Sequence, residues 1–180
     1  MITVVIGGSR SGVGKTTLAC GLVRALPELD WTAIKISRHE HGTPTPVWEE
    51  TAAGQGSDTA RYLAAGARRA LLVTASGADL PLQELDAACD SVSHALIESN
   101  RIVDYLAPDV CLAVVGEGAA KPSFTPLLLR ADAVVARSQA ALDCFQVPLS
   151  ACVFLVEDVG CPPPEFVAWL RGRMRAASAR

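Results

Sequence analysis

The stretch Ile2-Thr-Val-Val-Ile6, continued by Gly7-Gly8-Ser9-Arg10-Ser11-Gly12-Val13-Gly14-Lys15-Thr16-Thr17, decides the fold. A short β-branched run, a glycine-rich segment and then apolar residues at Leu18, Leu22, Val23 and Leu26 predict strand, loop and helix in that order. Gly12-x-Gly14-Lys15-Thr16 completes the second half of G-x-x-x-x-G-K-[ST] in the setting that the phosphate-binding loop requires. Small residues let the backbone approach a phosphate closely. The N–H groups of Ser11, Gly12, Val13, Gly14, Lys15, Thr16 and Thr17 can then converge on its oxygens. Lys15 supplies a point charge between the β- and γ-phosphates, and the Thr16 hydroxyl can hold Mg²⁺. Ser9 stands where the motif has its first glycine, and a small residue still fits there.

Outward from this loop, further strands are expected at Trp31–Ile36, Arg69–Val73, Ala95–Ile97, Val110–Val115, Ala133–Val135 and Val153–Val156. Helices are expected at Asp58–Ala65, Leu82–Ser93, Arg101–Leu106, Gln139–Phe145 and Pro164–Met174. Strands alternating with short helices imply an α/β protein, a three-layer α/β/α P-loop NTPase fold with a mostly parallel central sheet. No repeat or shift in composition divides the chain, so residues 1–180 are expected to form a single nucleotide-binding domain. Ser37–Gly56 lacks either period, carries Pro44 and Pro46, and is read as a long functional loop.

Half of the 180 residues are hydrophobic but only 5% are aromatic, so the core is expected to be aliphatic. A formal net charge of −3 gives no field for coating nucleic acid or anionic lipid. No apolar run approaches the roughly 20 residues that span a bilayer, and Met1 leads directly into a strand; a cytoplasmic protein with no membrane contact is expected. The six cysteines contain no C-x-x-C pair and are read as reduced core thiols.

A P-loop protein needs a carboxylate at a neighbouring strand end to hold Mg²⁺ directly or through water. Glu98 closes Ala95-Leu-Ile97 mid-chain and is the candidate for the metal or for positioning water. Glu117 and the pair Glu157-Asp158 are later alternatives. For Glu98 the plain alternative is a capping or salt-bridging acid beside Asn100, which could itself cap the next helix. Asp58, with Arg61 at i, i+3, reads from composition as a helix-starting cap. Arg10 reads as an exposed loop arginine, His39 and His41 as residues of a solvated loop, and His94 as a partly buried, satisfied histidine. Neither G-x-S-x-G nor H-E-x-x-H occurs. With no N-K-x-D either, the base stays open between GTP and ATP.

Taken together, the P-loop, the strand Ala33-Ile-Lys35-Ile-Ser37 followed by His39-Glu-His41, and Gly56-Ser-Asp58-Thr59 with Arg61 and Ala65-Gly66-Ala67 resemble the molybdopterin-guanine dinucleotide biosynthesis protein B family. The loop itself looks like those of the dethiobiotin synthetase and cobyrinic acid diamide synthetase group. The resemblance implies a dimeric, GTP-binding adaptor that works beside the guanylyltransferase attaching GMP to molybdopterin. It also moves Asp58 and Glu98 toward metal or phosphate roles. The expected activity is therefore Mg²⁺-dependent nucleotide binding with slow NTP hydrolysis, with Lys15 and Glu98 as the catalytic pair. An ATP-dependent ligase or transferase acting on a small carboxylate, and a nucleotide-gated switch, are the alternatives.

Overall fold

The computed structural model describes residues 1–37, 45–75 and 79–180. Its strands are β1 (Ile2–Gly8), β2 (Trp31–Ser37), β3 (Val47–Glu49), β4 (Arg69–Thr74), β5 (His94–Glu98), β6 (Val110–Val115), β7 (Ala133–Ala136) and β8 (Cys152–Leu155). They form one eight-stranded sheet in the order β3-β4-β2-β5-β1-β6-β7-β8. Every pairing is parallel except β3 with β4. Helices α1 (Lys15–Ala25), α2 (Asp58–Ala64), α3 (Leu82–Ala88), α4 (Phe124–Leu128) and α5 (Gln139–Asp143) lie between strands, and α6 (Pro164–Ser178) follows β8.

Two apolar clusters, one on each face, make the three layers. Val4 and Ile6 of β1 join α1, α2 and α6 on one face, through Leu18, Leu22, Tyr62, Phe166 and Leu170. Val5 joins α3, α4 and α5 on the other, through Leu85, Leu127 and Leu142. Successive strand residues point to opposite faces, so a strand covered on both sides must be apolar throughout. This is why Val110–Val115, wholly buried, reads as an unbroken run.

The architecture is the one expected, with local corrections. The predicted helix Arg101–Leu106 is only a 3-10 turn at Ile102–Asp104. Asn100 does not cap it: the turn starts from Arg101 without a side-chain cap, and just before it the Ser99 hydroxyl accepts from the N–H groups of Arg101 and Ile102 at 3.1 and 3.3 Å. Helix α3 stops at Ala88 rather than Ser93, because Ser91 takes a left-handed φ of 68° that no helix interior accommodates. The predicted loop Ser37–Gly56 contains β3, whose Val47 and Glu49 pair with Val73 and Leu71 of β4. Helix α4 was not anticipated; Pro126 sits in its first turn, where no intrahelical N–H is needed. All six cysteines are free, but only Cys20 and Cys111 are buried, while Cys144, Cys152 and Cys161 are exposed. His94 meets Trp31 edge-on with ring centroids 5.8 Å apart, and its buried Nδ1 has no hydrogen-bond partner among the described residues. No helix among the described residues is long and apolar enough to cross a membrane.

Candidate functional site

The glycine loop leaves β1 through two positions where no side chain fits. A Cβ on Gly7 would lie 2.8 Å from Asn100 Oδ1, and one on Gly8 would lie 2.6 Å from Val13 Cγ1. Asn100 fixes this exit by accepting from Gly8 N–H at 2.8 Å and donating to the Gly8 carbonyl at 3.0 Å. Ser9 is wholly buried: its hydroxyl accepts from Gly116 N–H at 3.1 Å, and its carbonyl accepts from Lys121 N–H at 2.8 Å. A side chain that the motif tolerates as merely small thus ties the loop to the end of β6. Gly12 and Gly14 adopt φ values of 73° and 108°, the left-handed region that favours glycine. Replacing Asn100 with alanine would orphan both Gly8 backbone groups; a loss of about 2 kcal/mol in denaturant unfolding is expected, at about 1 kcal/mol per net hydrogen bond.

Gly14 caps α1 without a side-chain hydrogen bond, and no acid lies in the first turn. The N–H groups at this helix start are therefore open to an anion, whereas α2 and α5 are closed by the hydroxyls of Ser57 and Ser138.

Register explains which side chains meet this helix start. Glu98 lies beside Ile6 on one side and Lys35 on the other. Ile6, Ala33 and Leu96 all face α1, so Glu98 and Lys35, each at an even offset along its strand, face α1 as well. Glu98 is 2% exposed and accepts from Thr16 Oγ1 at 2.7 Å, from the Tyr62 hydroxyl at 2.5 Å and from Lys35 Nζ. Lys15 Nζ stands 3.8 Å away. Lys35 Nζ also pairs with Asp58 at 3.0 Å, and Asp58 in turn meets Arg61 at 3.5 Å.

The charges in this cluster support one another. Burial pulls the Lys15 ammonium below its ordinary value, and Glu98 only partly opposes the shift. Burial also works against Lys35, but Glu98 and Asp58 more than reverse it and raise its pKa. Tyr62 is held well above the usual phenol range by burial and by the Glu98 charge. For Asp58, burial favours the neutral form, yet the Lys35 hydrogen bond and charge, with Thr16 and Arg61, hold the carboxyl below the ordinary aspartate range. Stability from that depressed group is complete above the ordinary aspartate range and is lost as pH falls through the lower folded value. Lys35→Met should flatten this acid-side dependence in denaturation curves recorded across a pH series.

The structure thus brings together Lys15, Thr16, Glu98 and Asp58, which the sequence singled out, and adds Lys35 and Tyr62, which it did not. Lys35 carried a signal: a charge in a strand otherwise buried needs a partner. Hard oxygen donors of the kind Mg²⁺ prefers stand together here: two carboxylates hold one cation, the Lys35 ammonium, and the Thr16 hydroxyl is bonded to one of them, so the donor set fits the metal. Among the described residues there is no group of three His, Cys, Asp or Glu that could hold a metal without other donors. Ser11 accepts from Lys121 Nζ at 3.0 Å, and Arg10 is exposed as expected. His39 and His41 lie outside the described residues. The alternative carboxylates sit elsewhere: Asp158 accepts from Gly160 N–H at 2.8 Å, while Glu117 and Glu157 line a separate cavity.

Two cavities flank the loop. One, of about 310 Å³, lies over β2 and β5 and is lined by Lys15, Lys35, Glu98, Arg101 and Lys121 among others. The other, of about 450 Å³, lies over β6, β7 and β8, lined by Arg10, Gly12, Val13, Glu117, Arg137 and Glu157 among others.

No protein-family model matches the chain, and no curated protein matches it. Solved structures do. A MobB protein homolog from Bacillus stearothermophilus is 18% identical, with 98% of this chain and 99% of that one covered and a TM-score of 0.55. Bacillus subtilis MobB is 15% identical over 96% of this chain and 97% of its own, at a TM-score of 0.51. HypB from Helicobacter pylori, solved in complex with nickel, is 14% identical over 98% and 88%, at 0.54. These likenesses establish the fold at nearly full length: the chain has the P-loop α/β fold of MobB and HypB, which is where the resemblance of its motifs pointed.

Proposed function

We propose that this chain is a single-domain, Mg²⁺-dependent nucleotide-binding protein that hydrolyses GTP or ATP slowly and serves as a dimeric adaptor in molybdenum-cofactor assembly in the cytoplasm. One observation carries the nucleotide reading: the uncapped start of α1, with Lys15 and Thr16 on its first turn, faces Glu98 at the end of the adjacent strand. Phosphates lie against the amides of residues 11–17, and the nucleoside extends into the cavity over β6 to β8. Mg²⁺, held by the Thr16 hydroxyl and phosphate oxygens with Asp58 and Glu98 reaching it directly or through water, would neutralise phosphate charge. Lys15 orients the terminal phosphates. Tyr62 and Lys35 fix the Glu98 carboxylate so that it can position water.

The likeness to MobB supports the pathway, and works through fold and motifs rather than through sequence identity. In this role the partners are a second copy of the chain, molybdopterin and a guanylyltransferase. Calorimetry with GTP and ATP, with and without Mg²⁺, tests the first part; absence of binding by both would refute it. Glu98→Gln should leave nucleotide affinity within about threefold and reduce Mg²⁺-dependent turnover at least tenfold, on the scale of losing a positioned acid-base group. The pathway is tested separately, by adding the protein to a guanylyltransferase reaction with molybdopterin and GTP. Unchanged product formation would remove the adaptor role.

A further inference from the structure

The cation at the centre of the site is held unevenly. Lys35 Nζ bridges Asp58 Oδ2, at 3.0 Å, and Glu98 Oε1, which ties the start of α2 to the end of β5. The Glu98 half of this bridge is buried: the residue is 2% exposed, and Thr16 and Tyr62 donate to its other oxygen. The Asp58 half is wet, with that side chain 35% exposed. An ion pair in contact with water contributes little and opens readily, whereas a buried one is costly to break. Asp58 can also let go without unravelling its helix, because Ser57 caps α2 by accepting from Ala60 N–H at 3.0 Å.

The charge balance gives this opening a direction. Lys15, Lys35 and Arg61 stand against Asp58 and Glu98, three positive charges to two negative, so the cluster by itself carries a surplus of positive charge. A divalent cation arriving alone would meet that surplus and would find Asp58 already engaged by Lys35. The phosphates of a nucleotide reverse both conditions. They bring negative charge to the cavity of about 310 Å³ that Lys15 and Lys35 both line. An ammonium has three donors, so Lys35 can turn one of them to a phosphate oxygen while another stays on Glu98.

From this arrangement we infer that Lys35 is a latch on the metal site: its ammonium keeps Asp58 from a divalent cation until phosphate in the neighbouring cavity draws it away, so that metal and nucleotide bind together. Lys35 acts through Asp58 and is in this respect a positioning residue. The inference deepens the nucleotide reading and rests on it for the source of the phosphate.

The test uses Mn²⁺ in place of Mg²⁺, read by electron paramagnetic resonance and calorimetry on the full chain, alone and loaded with the β,γ-imido analogue of GTP or ATP. Alone, the parent should bind Mn²⁺ about tenfold or more weakly than when loaded, within the range of about 5–150-fold typical of coupled sites. Lys35→Met should tighten Mn²⁺ binding to the chain alone by about tenfold or more, and Lys35→Arg, which keeps the charge, by less than about threefold. In the loaded chain the latch is already open, so the gain from Lys35→Met should shrink to less than about threefold. Adding Asp58→Asn to Lys35→Met should abolish the gain. Lys35→Gln, which keeps a donor for Glu98, stands in should Lys35→Met not fold. The latch is overturned by a parent that binds Mn²⁺ as tightly alone as loaded, by a gain of equal size in the two states, or by no gain at all. An Asp58-dependent gain in a chain that takes neither analogue would instead sink the nucleotide reading and leave the hold of Lys35 on Asp58 standing.

Discussion

Lys15→Ala is expected to lower the affinity for a nucleoside triphosphate by about 100-fold while leaving the fold intact. A hydrogen bond to a charged group contributes about 1.5–3 kcal/mol, and about 1.4 kcal/mol is a factor of ten, so loss of one well-placed ammonium reaches this range. The fold should tolerate the change because Lys15 lies on the first turn of α1, 17% exposed, and its nearest cationic neighbours, Lys35 and Lys121, already work against its charge. Glu98 keeps its three donors Thr16, Lys35 and Tyr62 when Lys15 is gone. Calorimetry with a triphosphate and Mg²⁺ reads the affinity, and thermal unfolding in the absence of nucleotide reads the fold. Unaltered affinity would remove the phosphate site from the loop altogether, and a collapse in melting temperature would mean that Lys15 is structural.

Glu98→Ala should produce the largest loss of stability among single substitutions in the cluster. Removing one partner of a buried ion pair typically costs about 3–5 kcal/mol, because the remaining charge is left uncompensated. Here the loss leaves Lys35 with Asp58 alone among the described residues, and it strips the wholly buried Tyr62 of its hydroxyl's acceptor. For a chain of this size each kcal/mol lowers the melting temperature by about 2–4 °C, so a fall on the order of 10 °C is expected. Glu98→Gln keeps an acceptor oxygen and the side-chain volume and should cost markedly less. In the double variant Lys35→Met with Glu98→Ala, the orphaned charge is gone and the combined cost should fall short of the sum of the two single costs. Strict additivity would show that the contact between Lys35 and Glu98 contributes nothing to stability.

Much of this was legible from residues alone, for a physical reason in each case. The glycine loop is readable because backbone approach to phosphate demands small residues at fixed spacing. The inner strands are readable because burial on both faces demands continuous apolar runs. Glu98 was accessible through its position at the end of such a run. Lys35 was not assigned a role, because its meaning depends on the register of β2 against β5, which no local pattern encodes. Tyr62 sits on a helix with ordinary spacing and becomes informative only when α2 packs against the sheet. Helix α4 and the turn at Ile102–Asp104 span five and three residues, too few for helical periodicity to register. Three exposed cysteines were read as core because they adjoin apolar residues in sequence, although Cys152 lies on the edge strand β8.

On the proposed nucleotide reading, the uncapped start of α1 would also make folding stability depend on metabolite supply. A helix closed by serine carries its own cap, whereas α1 has no side-chain cap of its own. A ligand present at 100 times its dissociation constant adds about 2.7 kcal/mol to the folded state, a substantial share of the margin that keeps an ordinary domain intact. Turnover of this chain by cellular proteases would then follow the local nucleotide concentration.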